Sequence, residues 1–407
     1  MSRMGGNFDN KVVEYLLIRD WPSDKKKKTV LKSIYCCKRV SRPELGRELR
    51  MKTATLYRII DDLISEQLVE IVGASEEGRV GRRAEVLGVN NRYNYVFSVA
   101  LKRDSYALAL VNLSHEIISK RSYPVLPELK PQDFVAHSYA EFEDMCGQLG
   151  IARQQVATLA LALVGPLDFD RGVLLGSTYF AAKNWVNVPI FAMFEKQFKK
   201  KPVFDTLARA ALWGSYIPDF YKQYKNIAYF IVGTGIGSGL ILQGKVIENT
   251  NRIYDGVAHM TIEIGGRRCI CGDYGCLEAY VTTMEIPRIF IWEMEVGHPT
   301  SLSELSVPPS FDTIANGVVE GDPLCIHVMR QSAVIFAKAV LNLLRMFDME
   351  AVVIGGEIAE KSAFFYEVVK EYICAKSKTL SMFRQENEED IILKGIAIKS
   401  ILPYFEE

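Results

Sequence analysis

The sequence predicts a two-lobed α/β body behind an N-terminal winged helix-turn-helix, and three observations point there. Residues 1–90 read as three short helices followed by a β-hairpin. From Asn94 the pattern changes to three consecutive strands and then to helices alternating with buried strands. That plan returns in the second half of the chain, which implies two lobes with a cleft between them.

In the N-terminal module, Trp21-Pro22-Ser23-Asp24 reads as a helix entrance, and Lys25–Lys28 lead into residues 29–35 with apolar side chains at helical spacing. Ser41 is an N-cap, Pro43 sits in the first turn, and Glu44 is placed for a capping box, so 43–50 reads as a short second helix. A third helix follows from Thr53 to about Gln67, with Leu56, Ile59, Ile60 and Leu63 facing inward. Residues 68–72 and 84–89 read as antiparallel partners around a tip rich in Gly and Arg. In such a module the third helix enters the major groove with its N-terminal residues at base edges. Lys52, Thr53, Thr55, Tyr57 and Arg58 are the residues so placed, and Arg79, Arg82 and Arg83 of the wing suit a narrow minor groove. The other reading of the module is a helical dimerisation domain with a solvated charged face. The short second helix, the polar start of the third and the Arg-rich tip favour DNA.

In the body, residues 95–101, 106–113 and 116–124 read as a strand meander, 131–149 as a helix and 156–163 as a buried strand ending in Gly165-Pro166. Helices at 189–199 and 208–217 flank a short strand at 203–205. Strands at 226–232 and 239–242 enclose the glycine-rich run 233–239. Such a run either brings backbone N–H groups to a phosphate or makes a tight hairpin. A long helix over 323–347 precedes a strand at 350–354 that stops at Gly355-Gly356.

Composition limits the function classes. Apolar residues make up 49% and charged residues 24%, as in globular proteins, and no apolar run reaches the length of a membrane span. No signal-peptide pattern is present at the N-terminus, so a cytoplasmic location is expected. The net charge is zero, yet residues 1–90 hold 18 Lys+Arg against 13 Asp+Glu, leaving an acidic body. A basic module on an acidic body fits nucleic-acid contact through the module alone.

Eight cysteines in such a chain do not read as a disulfide framework. Cys36, Cys37, Cys146, Cys325 and Cys374 are scattered among apolar residues and read as small core residues. Cys269, Cys271 and Cys276 follow His259 at metal-ligand spacing, with Gly272 and Gly275 between the thiols. One imidazole and three thiolates make a closed tetrahedral Zn²⁺ site with no open coordination position, so the metal is expected to be structural.

The segment from His259 to Tyr280, with Cys-Ile-Cys-Gly-Asp-Tyr-Gly-Cys-Leu-Glu-Ala-Tyr at its end, closely resembles the signature of the ROK family (repressors, open reading frames and kinases). Gly165-Pro166, Asn184-Trp185, the run 233–239 and Gly355-Gly356 fall in the family's order. A winged helix ahead of this body resembles the repressor branch, similar to the N-acetylglucosamine and xylose repressors. The resemblance implies an actin-like (ribonuclease H-like) sugar-kinase fold with sugar and ATP in the interlobe cleft. It implies a module over 1–90, a first lobe over 91–205 and a second over 206–407, whose last helix returns to the first lobe. By position, His259 serves both zinc and sugar, and Glu278, Gly165 and Asn184 match sugar-side residues.

Departures from the family pattern argue against catalysis. Where family kinases carry Asn-Asp, with that Asp as the base for the sugar hydroxyl, this chain has Thr206-Leu207, and leucine accepts no proton. Asp205 lies two residues early and is expected to point elsewhere. The family's first phosphate loop is replaced by Ala100-Leu-Lys-Arg-Asp-Ser105, which has no glycine, and its Glu three residues before the zinc His is Gly256. The resemblance therefore implies a non-enzymatic repressor that binds double-stranded operator DNA as a homodimer or homotetramer and senses a sugar or sugar phosphate. The alternative is an active sugar kinase with a regulatory N-terminal domain.

Overall fold

The computed structural model describes residues 22–74, 84–220, 223–247, 255–303, 307–377 and 379–405. The N-terminal module runs α1 (Lys25–Cys37), β1 (Val40–Ser41), α2 (Arg42–Leu49), α3 (Thr53–Ser65), β2 (Val69–Ala74) and β3 (Glu85–Val89). Ser41 and Glu44 form the expected capping box at α2: the Ser41 hydroxyl accepts from the Glu44 N–H, and the Glu44 carboxylate accepts from the Ser41 N–H at 2.7 Å. The hairpin gains a third strand that sequence does not announce, since β1 pairs antiparallel with β3. Leu31, Ile34, Leu45, Leu56, Ile60, Leu63 and Leu87 fill the module's interior.

The first lobe contains β4 (Tyr95–Leu101), β5 (Ser105–Asn112), β6 (Ile117–Pro124), α4 (Pro131–Leu149), β7 (Val156–Leu163), a small hairpin β8 (Leu167–Asp168) and β9 (Val173–Leu174), α5 (Ile190–Phe198) and β10 (Pro202–Thr206). The main sheet has the order β10-β7-β4-β5-β6, with β4, β5 and β6 antiparallel and β7 and β10 parallel to β4. Phe134 and Phe142 of α4 and Phe194 of α5 pack on one face of it.

The second lobe repeats that order. After α6 (Leu207–Ser215) come β11 (Ile227–Val232), β12 (Ile236–Leu242), β13 (Lys245–Val246), α7 (Glu285–Glu295), α8 (Phe311–Glu320), α9 (Pro323–Phe347), β14 (Ala351–Gly355), α10 (Glu357–Lys361), α11 (Ala363–Cys374), β15 (Ser381–Arg384) and α12 (Glu388–Ile401). The sheet runs β13-β12-β11-β14-β15, again an antiparallel trio followed by two parallel strands. By length and composition α9 passes for a membrane span, but it is a core helix here, with Phe336, Val340 and Leu343 buried in the lobe.

Two helices fill the space between the sheets. The last helix, α12, returns to the first sheet, packing on β4, β5, β7 and β10, while α6 packs on β11 and β12 and crosses α12. At the crossing a Cβ on Gly395 would overlap the Ala210 carbonyl oxygen, and one on Gly214 would overlap the Ile391 carbonyl. Part of the predicted glycine loop turns out to be strand: β12 starts at Ile236. Its Gly237 and Gly239 lie under Ala208 and Leu212 of α6, where a Cβ would make tight contact at 3.0 Å with the helix.

This layer also seats the N-terminal module. One turn at Tyr216–Phe220 extends α6, another at Leu402–Phe405 extends α12, and both pack against α1. The Tyr35 ring of α1 lies 4.5 Å from His115, in the β5–β6 turn, and 5.2 Å from Phe405. Burial, with Lys38 and Lys394 nearby, holds the His115 imidazole down to about 3, so it is neutral in the joint. The module therefore shares a continuous apolar core with the helices between the lobes.

Candidate functional site at the interlobe cleft

A cavity of about 440 Å³ opens between the two lobes. Gly165, Pro166 and Phe169 line it from the first lobe, and the Gly235–Gly239 segment, Asp255–Met260 and Glu278 from the second. The N-terminus of α6 forms part of its wall through Thr206, Leu207 and Ala208. Thr206 caps that helix, its hydroxyl accepting from the Arg209 N–H at 3.3 Å, which leaves Leu207 as the first helical side chain at the cavity.

Asp205, one step back, is committed elsewhere. It is 1% exposed, accepts from the Thr206 N–H at 2.8 Å, pairs with Arg209, and receives Lys399 of α12 at 2.6 Å. Its side chain ties α6 to α12 and is absent from the cavity wall.

Beside the cavity, His259, Cys269, Cys271 and Cys276 bring their ligand atoms within 4.8 Å of one another. Backbone geometry produces this convergence. Cys269 N–H donates to Asp273 O at 2.7 Å, Gly272 N–H donates to Cys269 O at 3.1 Å, and Gly272 and Gly275 hold φ of 96° and 75°. A Cβ on Gly275 would overlap the Glu263 carbonyl. Tyr280 fastens the loop, its hydroxyl donating to Glu263 and accepting from the Arg267 N–H at 2.7 Å.

The donor set fits zinc. A tetrahedral ion with Zn–S near 2.3 Å and Zn–N near 2.0–2.1 Å sets S···S edges of about 3.8 Å and N···S edges of about 3.5 Å. The Cys271–Cys276 separation is 3.7 Å, and Cys269 lies 3.5 Å from His259 Nδ1. Burial and the neighbouring sulfur atoms push the Cys276 thiol up to about 12, so a bound cation is what would hold these groups as thiolates.

The same imidazole faces the cavity with its other nitrogen: His259 Nε2 lies 3.8 Å from Glu278 Oε2. Glu278 also accepts from the Ile236 N–H at 3.2 Å. Burial raises its carboxyl above the usual carboxylate range, opposed first by Arg103, whose Nη2 stands 3.9 Å from Oε1. Gly235 lies where these groups converge. A Cβ there would sit 2.6 Å from Glu278 Oε1 and would overlap the Arg103 guanidinium.

Of the sugar-side residues expected from sequence, Gly165, His259 and Glu278 meet at the cavity and Asn184 does not. Trp185 is buried and donates through Nε1 to Leu129 O at 2.7 Å. That anchor leaves exposed Asn184, at φ 64°, in a separate surface hollow with Lys130, Gln132 and Lys196. Two residues that sequence reading passes over also belong to the site. Arg103 enters from the loop after β4, and Asp255 accepts from Ser238, Val257 N–H and Ala258 N–H, shaping the turn that delivers His259. Their signals were the cation in a glycine-free loop and the carboxylate next to Gly256.

On the module, Lys52, Thr53, Tyr57 and Arg58 lie exposed on the first turns of α3, and Thr55 is half-buried. Arg42 stands over the Tyr57 ring at 5.2 Å and pairs with Asp61 at 2.8 Å. Asp61 and Asp62 make the later part of α3 acidic, so only its N-terminal half suits a polyanion. Arg79, Arg82 and Arg83 fall outside the described residues.

A sequence model of the ROK family matches residues 96–394. The chain is 23% identical over 352 residues to the xylose repressor of Caldicellulosiruptor bescii, covering 86% of this chain and 87% of that protein. It is 22% identical over 350 residues to the N-acetylglucosamine repressor of Escherichia coli O157:H7, covering 85% and 83%. Among solved structures, a ROK family transcriptional regulator described as a homologue of the E. coli MLC protein superposes with a TM-score of 0.74 at 21% identity, over 94% of this chain and all of that one. A ROK hexokinase from Thermus thermophilus gives 0.65 at 21% identity, over 77% of this chain and all of that one. These likenesses establish the actin-like, sugar-kinase-like architecture of the body.

Proposed function

The chain belongs to the ROK family, and from that premise we propose that it is a cytoplasmic transcriptional repressor of carbohydrate genes whose kinase-like cleft senses a sugar instead of phosphorylating it. The observation that carries this reading is the side chain at the start of α6. Leu207 lines the cavity at the position to which the family resemblance assigns the kinases' base, and Asp205, two residues earlier, is engaged by Arg209 and Lys399. The relatives named as repressors span most of this chain, which adds weight to the reading.

In this reading the N-terminal module is a winged helix-turn-helix. The start of α3, with Lys52, Thr53, Thr55, Tyr57 and Arg58, enters the major groove of operator DNA, and Arg79, Arg82 and Arg83 form the wing contact. Reading paired half-sites calls for a symmetric homodimer or homotetramer. His259, Cys269, Cys271 and Cys276 hold one structural Zn²⁺, and Gly165, His259 and Glu278 receive the sugar or sugar phosphate. A ligating imidazole commonly donates its second N–H to an oxygen, so one histidine serves both roles.

The route from cleft to DNA follows α6. Its first residue touches the cavity, and the turn beyond its end touches α1 of the module. A ligand that favours one lobe arrangement shifts the α6–α12 crossing and with it the seat of the module.

The test is a titration of the full chain against a duplex chosen by selection from random sequence. Arg58→Ala is expected to weaken binding about 10-fold, the worth of one good base or phosphate contact. Its melting curve should be unchanged, because Arg58 is exposed. Unaltered affinity removes Arg58 from the interface, and failure to select any duplex overturns the repressor reading.

A further inference from the structure

We propose that Arg42 is a positioning residue for DNA reading, one that sets the Tyr57 side chain and ties α3 to the β2–β3 hairpin without itself binding phosphate. The inference rests on the DNA-binding reading and assigns a residue outside the contact set named there.

Arg42 is the first residue of α2 and follows β1, whose Ser41 pairs with Val86 of β3. Its backbone is therefore fixed where β1, α2 and the hairpin meet. From there the guanidinium reaches α3. Its Cζ stands 5.2 Å from the centroid of the Tyr57 ring, and Nη2 lies 2.8 Å from Asp61 Oδ1, one turn further along the same helix face. Nε lies 3.4 Å from Oε2 of Glu85, the first residue of β3. One planar side chain thus touches two residues of α3 and one of the hairpin. A rigid fork with a stacking face can do this, and the point charge of a lysine cannot.

A cation beside the N-terminal half of α3 could simply serve a phosphate. Its surroundings argue otherwise. The side chain is 16% exposed, and two carboxylates already neutralise it. Moving it to a phosphate would break both pairs and uncover the ring. Tyr57 is the reverse case, 38% exposed with the guanidinium over its ring. Exposed ion pairs add little to folding stability. Together, however, these contacts restrict the Tyr57 rotamer and the angle between α3 and the hairpin. A base contact needs that restriction, and charge neutralisation does not.

The experiment titrates the full-length protein with a duplex selected from random sequence and with a mixed-sequence duplex, each across a range of salt concentrations. The variants are Arg42→Gln, Arg42→Lys, Tyr57→Ala and the double variant Arg42→Gln/Tyr57→Ala. Arg42→Gln is expected to lower the ratio of selected to mixed-sequence affinity about 10-fold, with mixed-sequence affinity changed less than about 2-fold and the salt slope unaltered. Arg42→Lys should resemble Arg42→Gln, because it keeps the charge and loses the fork. The double variant should lose less than the product of the two single losses, since Arg42 acts partly through Tyr57. A salt slope shallower by about one, or full recovery in Arg42→Lys, makes Arg42 a phosphate ligand and overturns the inference. An unchanged ratio overturns it too, as do fully multiplicative losses in the double variant. Equal losses on both duplexes show a general structural role and also overturn it. Each of these results leaves the repressor reading standing. If no duplex can be selected, both fall.

Discussion

Cys271→Ser is expected to lose the metal and to cost about 4 kcal/mol or more of stability, the largest effect anticipated for a single change in this chain. A zinc ion with three of its four protein ligands is poorly held. The loop it closes carries no large apolar core of its own, since Ile264 and Ile270 are exposed. The loop also delivers His259 to the cavity wall, so losing the metal should abolish ligand binding along with stability. Elemental analysis and thermal melting of wild type and variant check this together. Cys374→Ser, a half-buried cysteine outside the cluster, should retain one zinc per chain. Wild type purified without zinc, or Cys271→Ser with a full equivalent of it, contradicts the assignment.

Gly395→Val should be nearly as damaging, for a purely steric reason. At the crossing of α6 and α12 the atoms in the way are the Ala210 carbonyl and the Gly214 nitrogen, both backbone, and backbone cannot swing aside as a side chain can. Overpacking of this kind costs about 3 kcal/mol, and it would wedge apart the two helices that join the lobes and seat the N-terminal module. Gly147 in α4 is the control: nothing lies within 4 Å of a Cβ there, so Gly147→Ala should be neutral or stabilising by up to about 1 kcal/mol. Denaturant melts are expected to show Gly395→Val destabilised and Gly147→Ala at least as stable as wild type. Equal stability of Gly395→Val and wild type would mean that the crossing opens without cost.

Sequence patterns expose what is local and periodic. The meander β4–β6, the buried strand β7 and the helices α4 and α9 could be read within a residue or so, because continuous apolar runs, the alternation of β6 or helical spacing persist over many residues. Elements of two to five residues, such as β1, β13 and α10, carry too few positions to show a period. The edge strand β15 is half-buried at all four positions and shows no alternation. The glycine run illustrates a second limit. Gly237 and Gly239 are glycines because α6 passes over them, which only the packed structure reveals.

At the site, the His/Cys cluster was legible because three thiols and their turn glycines fall within eight residues of one another. Leu207 stood out because the family resemblance assigns a carboxylate to its position. Arg103 could not be placed in advance, since it meets Glu278 across the cleft from 175 positions away in the chain. Asn184 was misplaced for the converse reason: its neighbour Trp185 is pinned to Leu129 and sets the direction of the pair.

The central claim is that the cleft holds a sugar it cannot phosphorylate, and a coupled phosphoryl-transfer assay on the zinc-loaded full chain tests it most directly. With Mg-ATP and each sugar found to bind, turnover is expected to lie at least about 10²- to 10⁴-fold below that of a kinase with its general base in place. Rapid phosphorylation of any of those sugars would contradict the account.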